Sequence, residues 1–312
     1  MKQKLVIGTR GSKLALWQAD HVAACLRRHY PSVAIELKNM VTTGDKILDV
    51  PLAKIGGKGL FTKELEVAML SGEIDLAVHS LKDMPAELPD GLILAAVTER
   101  VDPGDALISP QYKTLDKLPA GARVGTSSLR RRAQLLHARP DLTIVDLRGN
   151  LDTRLKKLTT ENLDAIMLAT AGLKRLGWDK HITQILPQAI CLPAVGQGAL
   201  AIEARANDAE TLSMLAFLNH EPTYRATLAE RSFLAEVEGG CQIPIGVYAQ
   251  IDTEDGQLKM TAVIMSPDGQ KAVRDSIQGD PAQAVALGHT LAGRMLDHGG
   301  REILAKLFTQ ED

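Results

Sequence analysis

Aromatic residues, cysteines and long apolar runs are all scarce in this chain of 312 residues. Aromatics are only 3% of the sequence, so its hydrophobic cores must be built from Leu, Ile, Val and Ala. Its three cysteines, Cys25, Cys191 and Cys241, are too few and too far apart for a disulfide framework or a zinc site. We therefore expect no bound metal, and we place Cys25 and Cys191, which lie in apolar stretches, in the core.

A membrane segment and a strong net charge are also missing. No apolar run approaches the ~20 residues that span a bilayer, and the first residues have the pattern of a strand rather than of a signal peptide. The 36 Lys and Arg residues nearly balance the 38 Asp and Glu residues, so no overall field draws the protein to nucleic acid or to a membrane. We expect a cytoplasmic protein with reduced thiols, in which anion recognition comes from local clusters of cations.

Short apolar runs alternate with helical patterns along the first two thirds of the chain. A strand at Leu5–Thr9 is followed by a helix that Ser12 caps, and the alternation continues to a strand at Leu92–Val97. It breaks at residues 99–105 and restarts with a strand at Arg123–Thr126. This alternation predicts an α/β protein with two lobes, each built on a mostly parallel or mixed sheet with helices on both sides.

The domain boundaries follow from the same pattern. Residues 199–206 alternate as a strand with one solvated face, which we expect to return to the first lobe. We assign residues 1–98 and 199–218 to the first lobe and residues 99–198 to the second. Residues 219–312 form a small α+β domain, with a long helix, three strands and further helices.

Two glycine-containing turns suggest that the lobes are related. Residues 8–12, Gly-Thr-Arg-Gly-Ser, and residues 125–129, Gly-Thr-Ser-Ser-Leu, each lie between a predicted strand and a predicted helix. We interpret them as equivalent corners of two similar lobes, and chance similarity is the alternative.

The α+β domain carries the most distinctive cysteine. Cys241 follows Gly239 and Gly240, between a helical pattern that ends near Val237 and a strand that begins at Ile245. Two consecutive glycines leave room for a bulky group to approach the sulfur. Such a loop presents a thiol to a ligand; the alternative is a small hydrophobic residue on a tight turn.

Basic residues occupy the starts of predicted helices, where the helix dipole disfavours them. Arg130 and Arg131 fall in the first turn of a helix that follows Thr126 and Ser128. Other arginines near predicted helix ends are Arg10, Arg148, Arg154 and Arg175. Ligands of open α/β sheets bind beyond the carboxyl ends of the strands, so these groups predict a ligand with several carboxylates or phosphates. A solvated basic surface is the alternative.

Two glycine-rich segments are weaker motifs. Residues 54–59 contain Lys54 and Lys58 but lack the pattern of a phosphate-binding loop, so they are either a lid that bears two ammonium groups or a surface loop. Residues 196–201 match a dinucleotide-binding fingerprint, but a strand pattern follows them where the fingerprint requires a helix. We therefore predict a tight turn at residues 196–201.

A polar cluster follows the strand predicted at Ile74–His79. Asp83 lies there between Lys82 and a turn that contains Pro85. Its carboxylate is either a turn residue or a group aimed at the ligand among cations. In the second case it would stay ionised and could stabilise a developing positive charge or relay protons.

Taken in order along residues 4–248, these motifs resemble the porphobilinogen deaminase family, also called hydroxymethylbilane synthases. The motifs that carry the resemblance are residues 8–12, 54–61, 79–85, 125–132, 147–150 and 238–246. The resemblance implies two lobes like those of periplasmic solute-binding proteins and transferrins, with the active site between them, and a third domain. It also implies a monomer.

The resemblance further implies a transferase of tetrapyrrole and haem biosynthesis. Such an enzyme joins four porphobilinogen molecules head to tail, with loss of ammonia, onto a dipyrromethane cofactor, and hydrolysis then releases the linear 1-hydroxymethylbilane. A thioether to Cys241 would hold the cofactor. Asp83 matches the family's catalytic aspartate, which we expect to bind pyrrole N–H groups and to stabilise the cation formed as ammonia leaves.

Other residues match positions that bind the carboxylates of cofactor and substrate in this family. The cationic ones are Arg10, Lys54, Lys58, Lys82, Arg130, Arg131, Arg148, Arg154 and Arg175. The hydroxyl donors are Ser12, Ser80, Thr126 and Ser128. Phe61 is expected to stack near the pyrrole rings, and Gln197 to line the crossover between the lobes.

Two other functions stay open at this point. A two-lobed anion-binding protein without catalysis explains the lobes and the arginines, but it explains neither Cys241 nor Asp83. A thiol-dependent hydrolase would need a histidine base, such as His79 or His137, near the sulfur.

Overall fold

The computed structural model describes residues 2–46, 59–237 and 243–308. Those residues form two five-stranded sheets and one three-stranded sheet, with helices packed against them. This is the α/β class with a small additional α+β domain that the sequence predicts. Within these ranges, no helix combines the length and the hydropathy needed to cross a bilayer.

The chain divides into two compact units. One unit comprises residues 1–101 and 199–224, and the other comprises residues 102–198 and 225–312. The first unit holds one five-stranded sheet, whereas the second holds the other five-stranded sheet together with the three-stranded sheet of the α+β domain.

The first lobe is a mixed sheet with strand order β2-β1-β3-β10-β4. Its strands are β1 (Lys4–Arg10), β2 (Ala34–Met40), β3 (Leu76–Ser80), β4 (Leu92–Val97) and β10 (Leu200–Arg205). Its helices are α1 (Lys13–His29), α2 (Thr43–Lys46), α3 (Lys63–Leu70) and α7 (Ala209–Leu215). β1 is parallel to β2 and β3, whereas β10 is antiparallel to β3 and β4. Strand β10 therefore returns to the first lobe, as predicted.

Helix α1 begins where the sequence predicts. The hydroxyl oxygen of Ser12 accepts a hydrogen bond from the backbone N–H of Ala15 at 3.3 Å, which satisfies one of the free N–H groups of the first turn. Ala19, Val22 and Leu26 recur at helical spacing and pack into the core on one face of the sheet. This packing fixes α1 directly after β1.

The second lobe repeats the arrangement, in strand order β7-β6-β8-β5-β9. Its strands are β5 (Asp105–Ile108), β6 (Arg123–Gly125), β7 (Thr143–Val145), β8 (Ala165–Ala169) and β9 (Gln184–Ile185). Its helices are α4 (Leu129–Ala138), α5 (Leu151–Thr160) and α6 (Thr170–Arg175). β6 is parallel to both neighbours and leads into a helix capped by Ser128, as β1 leads into the helix capped by Ser12. The two turns are equivalent corners, as predicted.

Glycines allow close packing at both corners. A Cβ atom on Gly8 would lie 2.3 Å from Cδ1 of Ile74, and one on Gly125 would lie 2.8 Å from Cδ1 of Leu163. Neither strand has room for a side chain at this point, because a neighbouring apolar side chain crosses the backbone there.

Three details of the prediction are wrong. β10 has no solvated face: Glu203 is fully buried, because α3 covers that side of the sheet. The sequence analysis leaves β5 and β9 without strand assignments, although both pair antiparallel in the second sheet. Cys191 is buried as predicted, but Cys25 is only half-buried, because it lies at the edge of the apolar face of α1.

The α+β domain is an antiparallel sheet with helices. Its strands, in order, are β11 (Ile245–Ile251), β12 (Leu258–Met265) and β13 (Ala272–Gly279). Its helices are α8 (Glu221–Glu236), α9 (Ala284–Met295) and α10 (Arg301–Phe308). One apolar cluster joins these elements, with Phe233 and Leu291 fully buried in it. One-turn 3-10 helices are Leu81–Asp83, Leu115–Lys117, Asp179–His181, Ala216–Leu218 and Pro281–Gln283. A kinked segment, Leu296–Gly300, joins α9 to α10, and Gly299 within it has a φ angle of 107°.

The α+β domain packs against α4 of the second lobe. Ala133 of α4 shares a buried apolar cluster with Leu192 and Val263. The Nδ1 atom of His137 lies 2.8 Å from the carbonyl oxygen of Gly269, in the turn between β12 and β13. The helix that carries Arg130 and Arg131 is therefore held at its far end by the α+β domain.

The segment that resembles a dinucleotide fingerprint is a turn, as predicted. Gly196 and Gly198 have φ angles of 70° and 98°, which favour glycine, and strand β10 follows. The buried carboxylate of Glu230 accepts hydrogen bonds from the N–H of Gly196 at 2.7 Å and from the N–H of Ala249 at 2.8 Å. This carboxylate ties the turn to α8 and β11.

Two glycines of α9 give a matched test of the packing in the α+β domain. A Cβ on Gly288 would lie 2.3 Å from the carbonyl oxygen of Ala229 in α8, so Gly288→Ala should destabilise the protein by about 1–3 kcal/mol. Apart from its own helix, no atom of the described residues lies within 4 Å of the Cβ position of Gly293, so Gly293→Ala should stabilise the protein by about 0.5–1 kcal/mol through helix propensity. Urea denaturation measures both effects, and equal effects of the two changes would contradict this packing.

Candidate active site

A pocket in the first lobe gathers five of the residues predicted to bind substrate or cofactor. It is lined by Arg10, Ser12, Leu14, Ala15, Gln18, Phe61, Thr62, Val78, His79, Ser80 and Asp83. The predicted residues come from the end of β1, the turn before α3 and the end of β3. They meet because β1 and β3 are parallel neighbours, so their carboxyl ends lie at the same edge of the sheet.

Arg10 is held in this pocket from two sides. Its guanidinium forms an ion pair with Asp45, with Nε donating to Oδ2 at 3.2 Å, and its Cζ atom lies 4.2 Å from the centroid of the Phe61 ring. Burial raises the pKa of Asp45, but hydrogen bonds from Arg10 and Thr42 outweigh burial and lower it below its usual value. The guanidinium therefore keeps a fixed orientation beside an ionised carboxylate.

The end of β3 brings Ser80 and Asp83 to the same pocket. The hydroxyl oxygen of Ser80 accepts a hydrogen bond from Nε2 of Gln18 at 2.8 Å. A single 3-10 turn follows and ends at Asp83, whose side chain is exposed to solvent. The N–H of Leu81 donates to the carbonyl oxygen of Ala199 at 3.1 Å, which anchors this turn. Asp83 thus presents a solvent-accessible carboxylate beside Arg10.

The second lobe has a buried arginine pair at the matching corner. Arg130 and Arg131 are 6% and 5% exposed, and both bond the carboxylate of Asp105, which is fully buried. Nε of Arg131 donates to Oδ1 of Asp105 at 2.9 Å, and Nη1 donates to the carbonyl oxygen of Met167 at 3.0 Å. Arg132 is exposed. Two guanidinium groups at a helix start therefore share one carboxylate, which compensates only part of their positive charge.

The ion triplet of Arg130, Arg131 and Asp105 shifts the pKa of Asp105, and its charges also act on the thiol of Cys191. Burial raises the pKa of Asp105, but the charges of Arg130 and Arg131 outweigh burial and hold that pKa well below its usual range. Burial, assisted by the negative charge of Asp105, raises the pKa of the Cys191 thiol to about 12. Since the thiolate is the reactive form of cysteine, Cys191 is unsuited to act as a nucleophile.

The hydroxyl residues of this corner organise the helix start. Thr126 is buried, and its hydroxyl oxygen accepts a hydrogen bond from the N–H of Ser128 at 3.2 Å. The hydroxyl oxygen of Ser128 accepts from the N–H of Arg131 at 3.4 Å, so Ser128 caps α4. Both residues lie beyond the carboxyl end of β6.

The remaining predicted arginines follow the neighbouring strands of the second lobe. Arg148 is half-buried, and its buried Nη1 atom finds no hydrogen-bond acceptor among the residues that the structure describes. Nε of Arg154 donates to the carbonyl oxygen of Gly149 at 2.8 Å. Arg175 donates from Nη2 to the carbonyl oxygen of Gly198 at 2.7 Å, and burial lowers its pKa to about 10, so it stays charged at neutral pH.

Gln197 contacts the same buried carboxylate as Arg130 and Arg131. Its Nε2 atom donates to Oδ1 of Asp105 at 3.0 Å and to the carbonyl oxygen of Pro103 at 2.7 Å. Gln197 therefore supports the carboxylate that holds Arg130 and Arg131.

Three of the predicted residues lie outside the described ranges, namely Lys54, Lys58 and Cys241. Lys82 is half-buried in the 3-10 turn beside Asp83. In the described part of the chain, no three His, Cys, Asp or Glu side chains converge as metal ligands.

The sequence analysis missed the acidic partners of the arginines. Asp45 and Asp105 lie far from Arg10 and Arg130 in the sequence, and only the fold brings them together. Asp105 begins an antiparallel strand next to β8, which places it at the edge where the parallel strands end. The sequence offered one signal for this partner: Asp105 is the last residue of the break in the strand pattern at residues 99–105. Gln18 was missed because its helical spacing resembles that of a core position.

The Asp105 triplet makes a prediction for stability. Asp105→Asn leaves two buried guanidinium groups without their carboxylate, so it should cost about 3–5 kcal/mol in the free energy of unfolding. Asp116→Asn is the matched control, because the Asp116 side chain is 70% exposed and should contribute little to stability. Urea unfolding at pH 7 measures both. The folded-state pKa of Asp105 is depressed, so its contribution is present above the unfolded-state pKa and is lost as the pH falls. Equal stability of the two variants would contradict the assignment.

Comparison with known families gives a consistent result. Residues 5–213 match the family model described as porphobilinogen deaminase, dipyromethane cofactor binding domain, and residues 224–297 match the porphobilinogen deaminase C-terminal domain. The chain is 53% identical to the porphobilinogen deaminase of Desulforamulus reducens over 311 residues, which cover 100% of both chains. It is 54% identical to that of Desulforudis audaxviator, with 98% of this chain and 99% of the relative covered.

Solved structures with a similar backbone were also found. The methionine-binding protein MetQ is 16% identical, with a TM-score of 0.45 over 72% of this chain and 91% of that one. The aliphatic sulphonate binding protein SsuA from Escherichia coli is 17% identical, with a TM-score of 0.41 over 76% of this chain and 71% of that one. At these values the similarity says nothing about a ligand. The two family models and the full-length relatives show that this chain belongs to the porphobilinogen deaminase family.

Proposed function

We propose that this protein condenses porphobilinogen molecules head to tail, with loss of ammonia, and releases a linear tetrapyrrole. The observation that carries the proposal is the first-lobe pocket, where Asp83 meets Arg10, Ser12 and Ser80. Porphobilinogen carries an acetate and a propionate, so a growing chain accumulates carboxylates. A guanidinium beside hydroxyl groups suits such carboxylates, and an exposed carboxylate suits pyrrole N–H groups.

The chain fits a covalently held dipyrromethane. The buried Nη1 atom of Arg148 lacks an acceptor among the described residues, and an acid side arm of a bound oligopyrrole would supply one. We assign attachment to Cys241, which matches the cofactor-bearing cysteine of the family; Cys191, which is buried and whose thiol pKa is raised, is unsuited to this role. When bound, the dipyrromethane supplies the pyrrole carbon to which the first substrate is joined. We further assign carboxylate binding to Lys54, Lys58, Lys82, Arg10, Arg130, Arg131, Arg148, Arg154 and Arg175, with hydroxyl groups from Ser12, Ser80, Thr126 and Ser128.

Arg130 and Arg131 have a particular part in this assignment. Asp105 already accepts hydrogen bonds from both guanidinium groups, so a ligand carboxylate must share the remaining donors or displace Asp105 from some of them. A pair held in this way is oriented before the ligand arrives, which reduces the entropy lost on binding.

Asp83 is the group that we place at the reacting centre. Its ionised carboxylate accepts hydrogen bonds from pyrrole N–H groups and stabilises the cation that forms on the substrate as ammonia leaves. It also takes up the proton that the attacking pyrrole's α-carbon loses after the new bond forms, and this proton ends on the released ammonia. Phe61 stacks on the Arg10 guanidinium and offers its ring edge to the pyrroles. We place the enzyme in the cytoplasm as a monomer.

The first test is the intact mass of the native protein. We expect an excess over the sequence mass equal to two pyrrole units, and we expect it to be absent from Cys241→Ser. Cys25→Ser is the matched control and should keep the excess, because Cys25 has no part in the proposed site. A native mass equal to the sequence mass in active protein would exclude the covalent cofactor. An anion-binding protein without catalysis would show that mass and consume no porphobilinogen.

The second test is Asp83→Asn. The amide keeps the size of the side chain but loses the negative charge, so turnover should fall by a factor of about 100 or more while the cofactor mass stays. Asp90→Asn is the control, because Asp90 is also exposed in the first lobe but does not line the pocket. Steady-state porphobilinogen consumption measures both. Turnover of Asp83→Asn equal to that of Asp90→Asn would remove Asp83 from the mechanism.

A further inference from the structure

Three titratable side chains are buried together behind the first-lobe pocket. His79 at the end of β3 is 6% exposed, Glu203 on β10 is 0% exposed, and Glu66 on α3 is 7% exposed. The Nε2 atom of His79 lies 3.1 Å from Oε2 of Glu203. A carboxylate at Glu203 can only accept a hydrogen bond, and Nε2 of His79 is then the donor.

The position of His79 in the strand connects this cluster to the pocket. Side chains alternate along β3, so Ser80 points to the face of α1 while His79 points to the face covered by α3. His79 itself lines the pocket, and Asp83 follows three residues after Ser80. The hydrogen bond between His79 and Glu203 therefore holds the strand end from which Ser80 and Asp83 project.

Glu66 differs from Glu203 in its environment. Burial raises the pKa of Glu66 above its usual value, and the neighbouring carboxylate of Glu203 adds to the rise. The Oε1 atoms of both carboxyl groups accept no hydrogen bond from any described residue. Two buried carboxylates beside one imidazole would leave uncompensated negative charge among apolar side chains, which favours the neutral acid at one of them.

Charged groups on the surrounding elements have partners of their own. Glu64, also on α3, accepts hydrogen bonds from Thr43. Arg10 of β1 is paired with Asp45, and Arg205 of β10 is paired with Asp75 and Asp208. Strand β4 presents no charged side chain. The charge balance of the cluster therefore rests chiefly on its three members.

We propose that His79 and Glu203 are positioning residues for the reaction, because their buried hydrogen bond fixes the strand end that carries Ser80 and Asp83. This inference rests on the proposed function of Asp83. Substrate affinity comes from the cations and hydroxyl groups of the pocket, whereas Asp83 acts on charge that develops during the reaction. Displacing Asp83 should therefore lower kcat more than it raises KM.

The test compares two isosteric changes in the same cluster. Glu203→Gln replaces the carboxyl group by a neutral amide, which weakens the bond to His79, so kcat should fall by at least about 10-fold with KM changed by less than about 3-fold, because small displacements of catalytic groups are costly. Glu66→Gln leaves the bond between His79 and Glu203 in place, so it should keep at least about half of the wild-type kcat. Cofactor mass and near-UV circular dichroism show that both variants are folded.

Each other outcome overturns a stated part of the proposal. If Glu203→Gln loses stability but keeps kcat, the hydrogen bond is structural only. If Glu66→Gln loses as much kcat as Glu203→Gln, the effect belongs to the buried cluster as a whole and the bond between His79 and Glu203 has no special role. If Glu203→Gln does not fold, His79→Gln, whose amide can still donate to Glu203, should keep more kcat than His79→Leu; equal losses would exclude the positioning role.

A measurement that needs no activity separates this inference from the proposed function. Nitrogen-15 NMR of labelled histidine should show a protected Nε2–H signal of His79, identified by its loss in His79→Gln. The signal should shift in Glu203→Gln and stay in place in Glu66→Gln. Its absence from the wild type would exclude the hydrogen bond. A wild type that shows this signal but consumes no porphobilinogen would instead reject the proposed function.

Discussion

The pairing of arginines with carboxylates of the same lobe is the interaction on which the rest of this structure depends. Each lobe places guanidinium groups at the corner where a central parallel strand turns into a helix, next to a dipole that repels them. Asp45 holds Arg10 in the first lobe, and Asp105 holds Arg130 and Arg131 in the second. Without these carboxylates the cations would have to turn towards solvent. With them, they stay at the carboxyl ends of the strands, oriented for an anionic ligand.

Much of the fold could be predicted from periodicity. The helix capped by Ser12, the two equivalent corners and the return of β10 to the first lobe all follow from local patterns that tertiary packing does not override. The burial of both faces of β10 could not be predicted. Alternation of polar and apolar residues usually indicates one solvated face, but it also occurs where a buried charged side chain has a buried partner. Glu203 is such a residue, since its partner His79 lies 124 positions away in the sequence. Strands β5 and β9 were missed because they are short and lie beside a loop-like segment.

Part of the lining of the first-lobe pocket could be predicted, but the acidic partners of the arginines could not. Motifs show which residue types stand at strand ends, so Arg10, Ser12, Ser80 and Asp83 could be assigned to one edge before the fold was known. The carboxylates that pair with the arginines come from other elements, and only the strand order brings them there. Arg130 and Arg131 already share an internal carboxylate, so under the proposed function a ligand carboxylate must share their remaining donors with Asp105 or displace it from some of them.

The central claim is that a chain of pyrroles grows while it is attached to this protein through Cys241. Intact-mass measurement during reaction with a limiting amount of porphobilinogen tests it most directly. The account predicts a ladder of masses above the resting protein, each step equal to porphobilinogen minus ammonia and together reaching four steps, and no ladder on Cys241→Ser. Consumption of porphobilinogen while the protein stays at one constant mass would contradict it.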